Sequence, residues 1–134
     1  MTSSQMILAL DVGEKRIGVA LADTAIKIAI TYDTISVDGN EDKALARIIS
    51  LENIDRIVVG YPRNQSGEPT AQTAFVETFT ERLQSFGLPI DYQDESLTSV
   101  KAEELLKSQK KPYQKADIDS LAASLILQDY LELQ

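Results

Sequence analysis

Two apolar runs, Met6-Ile7-Leu8-Ala9-Leu10 and Ile17-Gly18-Val19-Ala20-Leu21-Ala22, flank the polar stretch Gly13-Glu14-Lys15-Arg16. Runs of this length joined by a short polar turn read as a β-hairpin buried in a core. The hairpin carries Asp11 directly after its first run, and no base lies on it except Lys15 and Arg16 at the turn. A buried carboxylate costs several kcal/mol unless it is paired or bound to a metal. Asp11 is therefore the first residue with a claim on chemistry, and distant parts of the chain must supply its companions.

Composition narrows what those companions can be. The 134 residues contain no histidine and no cysteine. A Ser-His-Asp triad, a Cys-His pair, a thiolate zinc site and a His-assisted nuclease site are all excluded. Carboxylates, hydroxyls, Lys, Arg or a bound metal must do any catalysis. The length fits one domain, residues 1–134, and is too short for two lobes around a cleft. That shortness argues against an actin-like ATPase or sugar kinase, which Asp11-Val12-Gly13 would otherwise evoke. No apolar stretch has the roughly 20 residues of a membrane helix, and the first residues lack the features of a secretion signal. A cytoplasmic location is the expectation. The net charge of −8 disfavours broad attraction to nucleic acid, but the charge is unevenly placed.

Further along, residues 26–35 are rich in β-branched residues and largely alternate, which predicts a third, edge-like strand. Helical spacing of Ala44, Leu45, Ile48 and Ile49 follows over residues 41–51. Residues 54–62 predict a buried strand. A polar loop, residues 63–69, leads into a helix ending near Phe86, where Gly87 supplies the stop. A short strand at 89–93 precedes Asp94-Glu95. Helices are expected from Ser96 to Leu106 and from about Asp117 to Leu133. Three hairpin-linked strands and then alternating helix and strand give an α/β fold, a mixed sheet with helices on its faces.

Two places offer partners for Asp11. Asp94-Glu95 stands where a strand ends, and either residue, but not both, would point inward. On the last helix Asp119 shares a face with Ala122, Ala123, Ile126 and Tyr130, an otherwise apolar stripe. Asp117 lies on another face, and its natural role is helix N-cap. Three carboxylates converging on one pocket repel each other unless divalent cations neutralise them, and such all-oxygen sites suit Mg²⁺ or Mn²⁺. Two such ions can activate water and stabilise a leaving oxygen in phosphodiester hydrolysis without any histidine.

Cations stand close to these acids in sequence. Lys15 and Arg16 follow Asp11, and Lys107, Lys110, Lys111 and Lys115 crowd the connector before Asp119. Arg63 and Asn64 open the polar loop, which could hold a phosphate at a helix N-terminus. The expected substrate-binding set is Lys15, Arg16, Arg63, Asn64, Lys110, Lys111 and Lys115. Tyr113 could stack on a base.

Four motifs now stand in order: Asp11-Val12-Gly13-x-Lys15-Arg16-Ile17-Gly18-Val19-Ala20; Val58-Val59-Gly60-x-Pro62 with Gly67; Asp94-Glu95-x-Leu97-Thr98; and Asp119-Ser120-Leu121-Ala122-Ala123 with Ile126-Leu127-Gln128. Together, from about Met6 to Glu132, they resemble the YqgF/RuvX family, named for pre-16S rRNA nucleases and described as Holliday-junction-resolvase-like. The resemblance implies an RNase H-like fold with a five-stranded mixed sheet and a Mg²⁺-dependent acidic site. It assigns Asp11, Glu95 and Asp119 as catalytic and metal-binding, and so chooses Glu95 over Asp94. Glu14 stands where the family usually has a small hydroxyl residue, and Ser96 where it usually has Arg. Losing that Arg weakens the expected grip on substrate near Glu95.

The expectation is thus a nuclease, endonucleolytic rather than exonucleolytic, holding two Mg²⁺ (or Mn²⁺) ions and maturing the 5′ end of pre-16S rRNA. Alternatives are a Holliday junction resolvase acting on four-way DNA and a non-catalytic nucleic-acid-binding module of the same fold. Structured RNA is favoured over branched DNA as partner. Ribosomal association is compatible with this reading, and so is either a monomer or a homodimer.

Overall fold

A computed structural model describes residues 4–62, 70–95, 98–109 and 112–133. The hairpin forms as its sequence dictates: β1 (Met6–Val12) pairs antiparallel with β2 (Arg16–Asp23), in a register that sets Asp11 opposite Gly18. β3 (Ile30–Ser36) continues the meander on the outer edge of β2. The chain then crosses through α1 (Glu41–Leu51) to β4 (Arg56–Tyr61), parallel to β1, and through α2 (Ala71–Leu83) to β5 (Ile90–Asp94), parallel to β4. The sheet order is β3-β2-β1-β4-β5. α3 (Thr98–Ser108) and α4 (Lys115–Glu132) close the chain.

Alternation along β1 and β2 splits the core into two layers. Leu8, Leu10, Val12, Ile17 and Val19 pack with Leu45 and Ile48 of α1 and with Val76, Phe79 and Leu83 of α2. Ile7, Ala9, Ala20, Ala22 and Val58 face α4, meeting Ala123, Ile126, Leu127 and Tyr130. Alanines dominate the α4 side of the sheet, which brings that helix close to the strands. Burying each large aliphatic contributes roughly 1.5–3 kcal/mol.

Three local expectations change. The third strand begins at Ile30 rather than Ile26, because a turn intervenes: the amides of Ile26 and Lys27 both donate to the Asp23 carbonyl, and Lys27 has φ +61°. Ile26 and Ile28 are consequently 65% and 59% exposed. The last helix starts at Lys115, and Gln114, not Asp117, is its N-cap. Asp117 completes a capping box by accepting from the Gln114 amide at 2.9 Å. The second helix ends at Leu83 and tightens into a 3-10 turn over Gln84–Phe86, with Gly87 left-handed at φ +73° as the stop.

α4 is pinned along its length. Near its start the Thr34 hydroxyl donates to the Ala116 carbonyl at 2.6 Å. Further on, Gln128 accepts from the Ala29 amide, and the Tyr130 hydroxyl donates to Asp91, which also accepts from Arg56. This anchoring fixes where Asp119 stands.

Candidate active site

Parallel pairing of β1, β4 and β5 gathers their C-terminal ends at one edge of the sheet. Asp11 lies near the end of β1, and Glu95 directly follows β5. Between them runs β4, so with strands about 4.8 Å apart the Glu95 side chain must cross a whole strand to reach Asp11. It crosses over Gly60. A Cβ at that position would lie 2.4 Å from Glu95 Oε2 and 2.6 Å from Ile126 Cδ1. The Oε2 atom itself is shielded from solvent.

The two carboxyls meet in a hydrogen bond, with consequences for both. Burial pushes Glu95 up from 4.5 to about 9, helped by the Asp11 charge and by the hydrogen bond in which Glu95 keeps the proton. Burial also raises Asp11; the hydrogen bond from Glu95 opposes that shift, and the nearby charge of Asp119 adds to it. At neutral pH the pair therefore shares one proton.

A second glycine admits the third acid. Gly18, opposite Asp11 on β2, faces the backbone of α4 where Asp119 sits: a Cβ there would stand 1.9 Å from the Asp119 carbonyl oxygen and 2.3 Å from its carbon. No side chain fits. The bare backbone lets the helix lie against β2 and brings Asp119 beside Asp11. The Asp119 carboxylate, however, is turned to Arg16, whose Nε donates to Oδ2 at 2.6 Å. Among the described residues no three acids are drawn together tightly enough to hold a metal ion. The structure joins Asp11 to Glu95 and sets Asp119 next to them in the grip of Arg16.

Of the expected substrate-binding residues, Arg16 is thus engaged with an acid of the site. Lys15 is exposed on the hairpin turn beside it, and Lys115 is exposed at the first residue of α4. Arg63, Asn64, Lys110 and Lys111 lie outside the described residues. Tyr113 is placed against Glu103, its hydroxyl 3.4 Å from Oε1. Asp94 is exposed on β5, so of the adjacent pair Glu95 is the one that faces the site.

An open cleft of about 320 Å³ runs along this edge, lined by Gly13, Glu14, Lys15, Arg16, Gln72 and Asp119. Sequence reasoning overlooked Gln72. Its side-chain amide donates to the Val12 carbonyl at 3.0 Å, tying α2 to the end of β1. No signal in the sequence singles out a glutamine on the first turn of a helix.

The shifted Glu95 carries a measurable consequence for stability. Between pH 4.5 and about 9 the folded chain holds a proton at Glu95 that the unfolded chain has lost. The metal-free protein should therefore lose stability as pH rises through that window. Glu95→Gln should flatten this slope and stabilise the metal-free protein by roughly 2–3 kcal/mol at pH 7. Urea unfolding across pH 5–9 checks it; unchanged slopes would mean that Glu95 is not held protonated.

Comparison with known proteins places this arrangement. Residues 5–133 match the family model RuvX, described as Holliday junction resolvase. The chain belongs to the RuvX family. A relative from Chloroflexus aurantiacus named "Putative pre-16S rRNA nuclease" is 45% identical, the match covering 97% of this chain and 88% of the relative. One of the same name from Synechocystis sp. is 41% identical over 100% of this chain and 91% of its own length. Among solved structures, T. thermophilus RuvC in complex with a Holliday junction substrate superposes with a TM-score of 0.62 at 13% identity, covering 96% of each chain. Fowlpox virus resolvase bound to Holliday junction DNA gives 0.56 at 13% identity, over 96% of this chain and 97% of that one. At such identities the likeness is one of fold, and it is the RNase H-like fold that the sequence motifs imply.

Proposed function

We propose that this RuvX-family chain is a divalent-metal-dependent endonuclease that matures the 5′ end of pre-16S rRNA. The observation that carries the reading is the meeting of Asp11 and Glu95, from β1 and the end of β5, with Asp119 of α4 beside them. Burying carboxyls against each other is costly for stability alone, and the all-oxygen donor set, with a shielded Glu95 oxygen, fits Mg²⁺ or Mn²⁺. When bound, two such ions would activate the attacking water and stabilise the leaving oxygen. Asp11, Glu95 and Asp119 would hold them. Lys15 and the cations of the 107–115 connector, with Arg63 and Asn64, would position the phosphate backbone. The names of the curated relatives support rRNA as the substrate.

The family description and the junction-bound structural neighbours favour a second reading, a Holliday junction resolvase using the same acids. Such an enzyme needs two copies to cut two symmetric strands. Incubating the protein with 5′-extended small-subunit rRNA and, separately, with four-way DNA junctions distinguishes the two. Cleavage of the precursor at a defined 5′ position supports rRNA maturation. Paired symmetric incisions of the junction, with the precursor left intact, would overturn it in favour of resolution.

A further inference from the structure

Arg16 stands in an unexpected place for a substrate-gripping residue. Its Nε lies 2.6 Å from Asp119 Oδ2, across 103 positions of sequence, with the two side chains only 35% and 22% exposed. Both ends of this contact are held by the fold. Arg16 begins β2, where its carbonyl accepts from the Gly13 amide and its strand pairs with Ser36 of β3. Asp119 is held by the close approach of α4 to Gly18. The groups therefore form a row: Arg16, Asp119, Asp11, Glu95.

The Asp119 carboxylate thus stands between a guanidinium and the other two acids, and a cation arriving at the acids competes with the guanidinium for its charge. Lone pairs remain on the carboxylate, but a guanidinium at hydrogen-bond distance repels a divalent ion at the same group and holds Oδ2 turned toward itself. We infer that Arg16 is an exchangeable internal counter-ion: it holds Asp119 in the metal-free protein and yields the carboxylate when a divalent cation binds. The inference rests on the proposed metal-binding role of the three acids. Once released, the guanidinium lies in the same cleft as Lys15, where its planar fork suits a phosphate of the substrate backbone. Arg16 is then a positioning residue before metal arrives and a substrate contact afterwards.

The competition gives an expectation opposite to that for a simple structural ion pair. Isothermal titration with Mn²⁺ should show Arg16→Gln binding the ion about 10-fold more tightly than the natural protein. Arg16→Lys keeps the charge and should stay near the natural affinity. Circular dichroism without metal verifies that both variants fold. In the natural protein, titration with Mg²⁺ should shift the ¹⁵N resonance of the Arg16 Nε–H as its carboxylate partner is withdrawn. Equal or weaker Mn²⁺ binding by Arg16→Gln, alongside clear binding by the natural protein, would overturn the counter-ion role and leave the metal site standing. Absence of Mn²⁺ binding in every protein, including the natural one, would overturn the metal reading and the counter-ion role with it.

Discussion

Replacing Asp11 by Asn is expected to lower phosphodiester cleavage by about 10³-fold or more while leaving the protein folded. Asp11 is the hub of the site: it touches Glu95 directly and feels the charge of Asp119. Asparagine keeps the size and one oxygen but removes the charge a divalent ion requires. The same change relieves a buried carboxylate, so the metal-free variant should unfold at a urea concentration no lower than the natural protein. Loss of activity with stability kept or raised is the signature of a residue retained for chemistry rather than for folding. Gel-based cleavage assays and urea melts on the same preparation test both halves. An Asp11→Asn protein that cleaves at the natural rate would remove Asp11 from the mechanism.

The second large effect falls on a residue with no side chain. Gly18→Ala should destabilise the protein by at least about 3 kcal/mol and abolish cleavage as well. A methyl group there would sit 1.9 Å from the carbonyl oxygen of Asp119, and both partners are backbone, so no rotamer relieves the clash. Either α4 lifts from β2, opening the layer of Ala20, Ala123 and Ile126, or the β1–β2 hairpin deforms. Both moves carry Asp119 away from Asp11. Chemical denaturation reads the first effect and the cleavage assay the second. A Gly18→Ala protein with natural stability would show that the helix is free to shift, and that the position of Asp119 is not set by this contact.

These two positions illustrate what was legible in the sequence. The hairpin, the helices and the succession of elements along the chain follow from apolar periodicity and turn chemistry, because buried runs and glycine stops impose local geometry. The order of strands across the sheet, β3-β2-β1-β4-β5, emerges only in the structure. The inward face of α4 was readable from Asp119, Ala122, Ala123 and Ile126 alone. Choosing Glu95 over Asp94 was not, since the two alternate on a strand end and only family resemblance decided between them. The structural reason emerges in three dimensions: Glu95 reaches Asp11 by crossing β4 at Gly60. Glycines in strands read as weak points when they are met one at a time. Gly18 and Gly60 are instead the openings through which two acids reach the first.

The Arg16–Asp119 pair is equally invisible in the sequence, because its partners are 103 positions apart and meet only when α4 packs on β2. The third strand starts at Ile30 rather than Ile26 for a simpler reason. Alternating isoleucines satisfy the strand pattern, yet the carboxylate and carbonyl of Asp23 draw residues 25–27 into a turn. Local hydrogen bonding outweighed the propensity of Ile26 and Ile28.

The proposed nuclease mechanism depends on a cation drawing Asp119 away from Arg16 and into company with Asp11 and Glu95. Anomalous diffraction from crystals soaked in Mn²⁺ measures this directly. The expected result is an anomalous peak within about 2.3 Å of carboxylate oxygens from all three residues, with the Arg16 guanidinium displaced from Asp119. Manganese absent from this edge of the sheet, with the Arg16–Asp119 contact intact, would contradict it.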